Sequence, residues 1–159
     1  MRGKNKIKKP LTLDPKYGND VLGKFINYVM LGGKKTIAQK IVYGALDQAA
    51  ADLKKDQVKI FEEVLTAVQP QVEVRSRRVG GANYQVPMPV RGGRQNSLAF
   101  RWIINAARKT KGKDMSTSLK EIFKQTLEGT GDALKKRDEV HRMAEANKAF
   151  AHFARFSKR

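Results

Sequence analysis

Residues 71–113 read QVEVRSRRVGGANYQVPMPVRGGRQNSLAFRWIINAARKTKGK, and the rest of the chain is organised around them. From Val74 to Lys113 there is no acidic residue and there are ten bases: Arg75, Arg77, Arg78, Arg91, Arg94, Arg101, Arg108, Lys109, Lys111 and Lys113. A long run of one sign repels itself unless something anionic lies against it. Around Gly80-Gly81 apolar and polar residues alternate, with Val72 and Val74 on one side and Tyr84, Val86, Met88 and Val90 on the other. Alternation on both sides of a glycine pair predicts a β-hairpin over about 71–91. After Arg91 the apolar period becomes helical.

The sequence offers two registers. A two-residue turn at Gly80-Gly81 sets Glu73 opposite Met88 and mixes apolar with charged side chains on one face. A three-residue loop, Gly80-Gly81-Ala82, pairs Val74 with Met88, Ser76 with Val86 and Arg78 with Tyr84. That gathers the valines on one face, and register follows such a pattern, so the three-residue loop is the expectation. Pro87 and Pro89 then lack amides only on the outer edge, where strands tolerate proline and a third strand is blocked. The expected result is an isolated arm leaning on a helix at its base and a ligand near its tip.

The charge is segregated. Of the net +18, the first 13 residues and the acid-free window carry +15, while residues 14–73 hold eight bases and eight acids. The chain of 159 residues suits one domain: a flexible basic arm over 1–13 and a helical domain over 14–156. There is no cysteine, so disulfides and thiolate metal sites are excluded. No apolar run approaches bilayer length. The basic N-terminus lacks an apolar core, so it is not a secretory signal, and its lysines and Pro10 speak against an organellar transit peptide.

The fold class expected is mainly α, about six helices with the hairpin between the third and fourth. Asn19 or Asp20 caps a first helix carrying Val21, Leu22, Phe25, Ile26, Val29 and Met30, stopped by Gly32-Gly33. A second, about Lys35 to Leu53, turns Ile37, Ile41, Ala45, Leu46, Ala49 and Leu53 inward. A third starts near Asp56 and stops before Pro70. The fourth, about Gly93 to Lys109, buries Leu98, Ala99, Trp102, Ile103, Ala106 and Ala107. The fifth is capped by Asp114 or Ser116. The sixth runs from Asp132 to about Phe153, with Val140, Met143, Asn147, Phe150 and Ala154 as its stripe.

Catalysis finds no support. His141 and His152 stand eleven apart on one expected helix, about three turns from each other, so they do not meet on a metal. Gly32-Gly33-Lys34-Lys35-Thr36 lacks the first glycine of a phosphate-binding loop, since Tyr28 stands there. No metal and no cofactor is expected. Arginine outnumbers lysine seven to three in the acid-free window, and its planar fork suits phosphate. Arg94, Arg101 and Arg108 recur every seven residues and so form one outward row on the fourth helix. An ion pair of Arg101 with Glu121 or Glu128 is the plainer alternative. Tyr84 either stacks on a base or packs on the arm. No helix-turn-helix, zinc finger or basic zipper is present, and several basic segments suit a folded RNA read through shape and backbone. The rivals are a DNA-binding architectural protein and a peripheral membrane protein.

Val72-Glu73-Val74-Arg75-Ser76-Arg77-Arg78-Val79-Gly80-Gly81, Tyr84-Gln85-Val86-Pro87, Ala99-Phe100-Arg101-Trp102-Ile103 and the run from Val140 to His152 closely resemble the bacterial-type family of small-subunit ribosomal protein seven. Asp14-Pro15-Lys16-Tyr17 and Gly33-Lys34-Lys35 match as well. The resemblance implies a non-enzymatic, non-oligomeric ribosomal protein that binds small-subunit rRNA and nucleates the head, or 3′ major domain. It implies a place near the exit-site tRNA and the mRNA exit path, beside small-subunit proteins nine and eleven, in a cytoplasmic or organellar ribosome, with no membrane partner. The expected rRNA contacts are Arg2, Lys4, Lys6, Lys8, Lys9, Lys34, Lys35, Arg75, Arg91, Arg94, Arg101, Arg108, Lys109, Lys111 and Lys113. Arg77, Arg78, Gly80, Gly81 and Tyr84 are expected on the arm near tRNA or mRNA.

Overall fold

The computed structural model describes residues 13–157, with side chains through residue 153. The elements run α1 (Asp20–Val29), α2 (Lys35–Leu53), α3 (Gln57–Val68), β1 (Val72–Val79), β2 (Ala82–Pro89), α4 (Gly93–Lys109), α5 (Met115–Leu127), α6 (Asp132–Ala146) and a 3₁₀ segment, Lys148–Ser157. The helix starts follow their caps. The Asn19 side chain accepts from the Val21 and Leu22 amides, Asp56 from those of Val58 and Lys59, and Asp114 from that of Thr117.

Four phenylalanines from four helices meet in the core. Phe25 of α1 lies 5.4 Å, ring centre to ring centre, from Phe61 of α3, 5.3 Å from Phe100 of α4 and 6.4 Å from Phe123 of α5. All four are buried. Phe100 was absent from the expected stripe of α4; the helix turns Phe100 and Ile104 inward and leaves Leu98 and Trp102 half-buried.

Helix α2 buries Ala45, Leu46 and Ala49 as expected and leaves Ile41 and Leu53 half-buried against the core; Ile37 is the correction. Its buried residues are Ala38, Val42, Ala45, Leu46 and Ala49, and Ile37 is 51% exposed. Small residues face inward because α2 lies close to α5: a Cβ added at Gly44 would come within 2.9 Å of Ser116 Oγ. Before α1, the buried Asp14 accepts from the amides of Lys16 and Tyr17 at 3.2 and 2.9 Å and from the Tyr43 hydroxyl at 2.5 Å. Burial, reinforced by that carboxylate, pushes the Tyr43 hydroxyl far above its usual titration range.

The hairpin takes the register that the sequence reading rejected. Val79 pairs with Ala82, Arg77 with Tyr84, Ser76 with Gln85, Arg75 with Val86, Val74 with Pro87 and Glu73 with Met88. Gly80 and Gly81 have φ of 59° and 91°, the two positive values that a two-residue hairpin turn requires. Arg77, not Arg78, therefore faces Tyr84, and Arg78 faces Asn83. The inner face accepts charge because Glu73 finds partners there. The Val90 amide donates to Gln71 O at 2.9 Å; the same parity turns the Met88 and Val86 amides inward and leaves Pro87 and Pro89 on the outer edge. The described sheet has two strands.

The two-stranded arm leans on a helix at its base, as expected, and its distal half also meets the 3₁₀ segment. Tyr84 lies 5.1 Å from Phe150 and 5.3 Å from Phe153, ring centre to ring centre, so it packs on the 3₁₀ segment rather than within the arm. His141 Nε2 accepts the Gln71 amide at 3.2 Å, and Arg137 donates to Ala67 O at 2.5 Å. Helix α6 thus grips the hairpin base. It ends at Ala146, seven residues short of the expected Phe153. The Asn147 side chain donates to Met143 O at 2.8 Å, the local competition through which asparagine stops helices, and the Phe150 amide reaches back only to Asn147 O. The inner face of α6 carries Ala133, Leu134 and Ala144, while Met143 is exposed. Since the helix stops before His152, the two histidines do not share a helical face; His152 Nδ1 sits 2.8 Å from Ala149 O.

Candidate nucleic-acid interface

Helix α4 presents Arg94, Arg101 and Arg108 on its exposed side and Ile103, Ala106 and Ala107 to the core. The seven-residue spacing keeps the three on one side of the helix, as expected. Their chemical states differ. Arg94 is committed: its Nε and Nη2 both reach Glu73 Oε2, at 3.1 and 2.8 Å. Arg101 makes no ion pair among the described residues; its guanidinium lies over the Tyr28 ring, 6.0 Å from the ring centre. Tyr28 is itself fixed by a 3.0 Å hydrogen bond from its hydroxyl to Ser97 Oγ. Neither Glu121 nor Glu128 takes Arg101: Glu121 accepts from Lys113 instead. Tyr28 was missed in the sequence because it sits on the far helix of the pair.

Glu73 is the hub at the base of the arm. Only 10% of its side chain is exposed, and it binds Arg75 as well as Arg94. Gln69 donates to Asn96 Oδ1 at 2.7 Å and Gln95 to Pro70 O at 3.1 Å, so the start of α4 is tied to the chain entering the hairpin. Burial raises the Glu73 pKa, but the hydrogen bonds and charges of Arg94 and Arg75 outweigh it, and the group titrates below the usual glutamate range. Folding then favours the ionised form. The pair's stabilisation is complete above the unfolded value of about 4.3 and is lost as pH falls through the lower folded value. Glu73→Gln is expected to cost about 1–2 kcal/mol at pH 7, since both arginines are half-exposed. It should also flatten the loss of stability below about pH 4.3. Urea titrations at neutral and acid pH check both; parallel pH curves for the two proteins would discard this role.

The remaining expected contacts sort by position. Arg78, Gly80 and Gly81 are exposed at the tip, Arg77 and Tyr84 are half-buried, and Arg75 is held by Glu73. Arg91, Arg108, Lys109 and Lys111 are exposed and without an ion pair among the described residues, whereas Lys113 bonds Glu121. Lys34 and Lys35 stand at the start of α2, where no side chain caps the helix and its positive end disfavours cations. Arg2, Lys4, Lys6, Lys8 and Lys9 lie outside the described residues. Among the described residues no group of histidines and carboxylates could hold a metal, and no helix is long and apolar enough to cross a membrane.

Within the acid-free window, the exposed cations without an ion pair among the described residues run from the hairpin tip along α4 to the loop before α5; Lys40, Lys54, Lys59, Lys124, Arg142 and Lys148 are exposed and unpaired elsewhere among those residues. Comparison with known proteins gives this surface a context. The family described as ribosomal protein S7p/S5e matches residues 1–148. The chain is 56% identical over 140 residues to the small ribosomal subunit protein uS7 of Wigglesworthia glossinidia brevipalpis, covering 88% of this chain and 90% of that one. It is 53% identical over 146 residues to the protein of the same name from Ectopseudomonas mendocina (strain ymp), covering 92% and 94%. With the match extending through the hairpin, α4 and α6, the chain belongs to the ribosomal protein S7p/S5e family.

Proposed function

We propose that the chain is a structural, non-catalytic constituent of the small ribosomal subunit that binds its rRNA through α4, the flanking loops and the basic N-terminal residues. The observation that carries this reading is the acid-free window, in which Arg78, Arg91, Arg101, Arg108, Lys109 and Lys111 are exposed and make no ion pair among the described residues. An RNA backbone supplies the charge that the chain withholds from them. In the finer reading the protein nucleates the head of the subunit and touches proteins nine and eleven. The arm then reaches toward the exit-site tRNA and the mRNA path. Footprinting of small-subunit rRNA with the purified chain tests it. Protection should concentrate in the 3′ major domain. Scattered protection, or equal affinity for duplex DNA at moderate salt, would favour a DNA-binding architectural protein instead.

The tip of the arm is expected to serve a ligand rather than the fold, because Arg78, Gly80, Gly81, Ala82 and Asn83 are exposed. Removing Arg78–Asn83 and joining Arg77 to Tyr84 through two glycines should shift the melting temperature by no more than about 2 °C. Exit-site tRNA retention in reconstituted subunits should fall. A collapse of the melting transition would make the tip part of the core.

A further inference from the structure

Of the clefts on the described surface, three carry carboxylates: Glu121, Glu128 and Asp132 in one, Asp132 and Glu139 in the second, Glu145 in the third. Another, of about 380 Å³, lies where the end of α1, the start of α2, the last turn of α4 and the first turn of α5 meet. Leu31, Ile37, Ile41 and Met115 line it, and its charged residues are Lys34 and Arg108, with no acid. Leu31 is 69% exposed and Ile37 51%. The core has no use for either, so this is apolar surface left for something else to cover.

Charge selects the occupant. The chain's own N-terminal segment brings five bases in 13 residues against two cations. A second copy related by twofold symmetry would set Lys34 and Arg108 against their counterparts. An anion with a flat apolar face suits both features, and an unpaired nucleotide is such a group. RNA offers bases splayed out of its loops and bulges, and an arginine plane stacks on them. The methionine thioether adapts to a flat partner. We propose that this groove holds one unpaired nucleotide of the rRNA, its base against Leu31, Ile37 and Met115 and its phosphate beside Lys34 and Arg108. The proposal rests on the rRNA reading above and adds that one base, not only backbone, is recognised here.

The test compares the full chain with a Leu31→Ser/Ile37→Ser variant on transcribed small-subunit rRNA. Both side chains are exposed, so the melting temperature should stay within about 2–4 °C. Affinity should fall about tenfold with an unchanged salt slope, because no phosphate contact is lost. Lys34→Gln should instead shrink the slope by roughly 0.7–0.9. Base-specific chemical probing should find one unpaired nucleotide protected by the wild-type chain and reactive again with the variant, while backbone protection persists. A photocrosslinker at position 37 should join that nucleotide. Wild-type binding with no such nucleotide, or a position-37 crosslink to a protein in reconstituted subunits, overturns the inference and leaves rRNA binding standing. Failure of the wild-type chain to prefer rRNA over duplex DNA removes the underlying reading itself.

Discussion

Phe25→Ala is expected to destabilise the protein by about 3–5 kcal/mol and to lower its melting temperature by about 6–20 °C. Phe25 is fully buried and touches phenylalanines from α3, α4 and α5 at once. Each aromatic pair contributes beyond the area it covers, and a void surrounded by three large rings on separate helices does not collapse without moving those helices. Urea unfolding followed by circular dichroism measures the loss. A cost under about 1 kcal/mol would fall below the range for emptying a phenylalanine site; the four rings would then not act as one unit.

The second large effect concerns salt. The six exposed cations of the acid-free window that make no ion pair among the described residues, Arg78, Arg91, Arg101, Arg108, Lys109 and Lys111, contacting as many phosphates, give a log–log salt slope of about −4 to −5 from these residues. Affinity for rRNA should drop about 250- to 1000-fold between 50 and 200 mM salt. The individual arginines divide. Arg101→Ala and Arg108→Ala should each reduce the slope by about one contact. Arg94→Ala should change it less and destabilise the fold instead, because Arg94 is spent on Glu73. Filter binding across a salt series separates the three. A slope near zero for the intact chain would end the electrostatic account, and equal slope changes for all three arginines would end the distinction.

How far the sequence could be read depended on the range of each signal. Helix starts were legible because Asn19, Asp56 and Asp114 act on amides two or three residues away. The bounds of α4 followed from equally local chemistry, whereas α1 ends at Val29, with Met30 turning out of the helix before the Gly32-Gly33 pair expected to stop it. The register failed because it depended on a partner outside the strand. The reading demanded an apolar inner face, whereas Arg94, from α4, makes Glu73 acceptable there. On α2 only Ile37 was misplaced, because the inward face starts at Ala38, and a hydrophobic stripe does not encode how near a neighbour comes. The end of α6 was hidden by apolar spacing that continued past Asn147. For the candidate interface, charge segregation pointed to α4 and the arm. What the sequence lacked was the sorting of its cations into those held by Glu73 and Glu121 and those left exposed, and the apolar groove beside Arg108.

The contact of Tyr84 with Phe150 and Phe153 sets an order of maturation. The chain emerges from its N-terminus, so both strands are complete long before the 3₁₀ segment that braces them exists. Until then the ribbon is of a kind only marginally stable in water, while the helices that supply the four phenylalanines through α5 can already close. The arm stiffens last. A nascent or truncated chain ending near Ala146 would have its core and the cations of α4 in place while its arm still swung, so grip on RNA would come before aim.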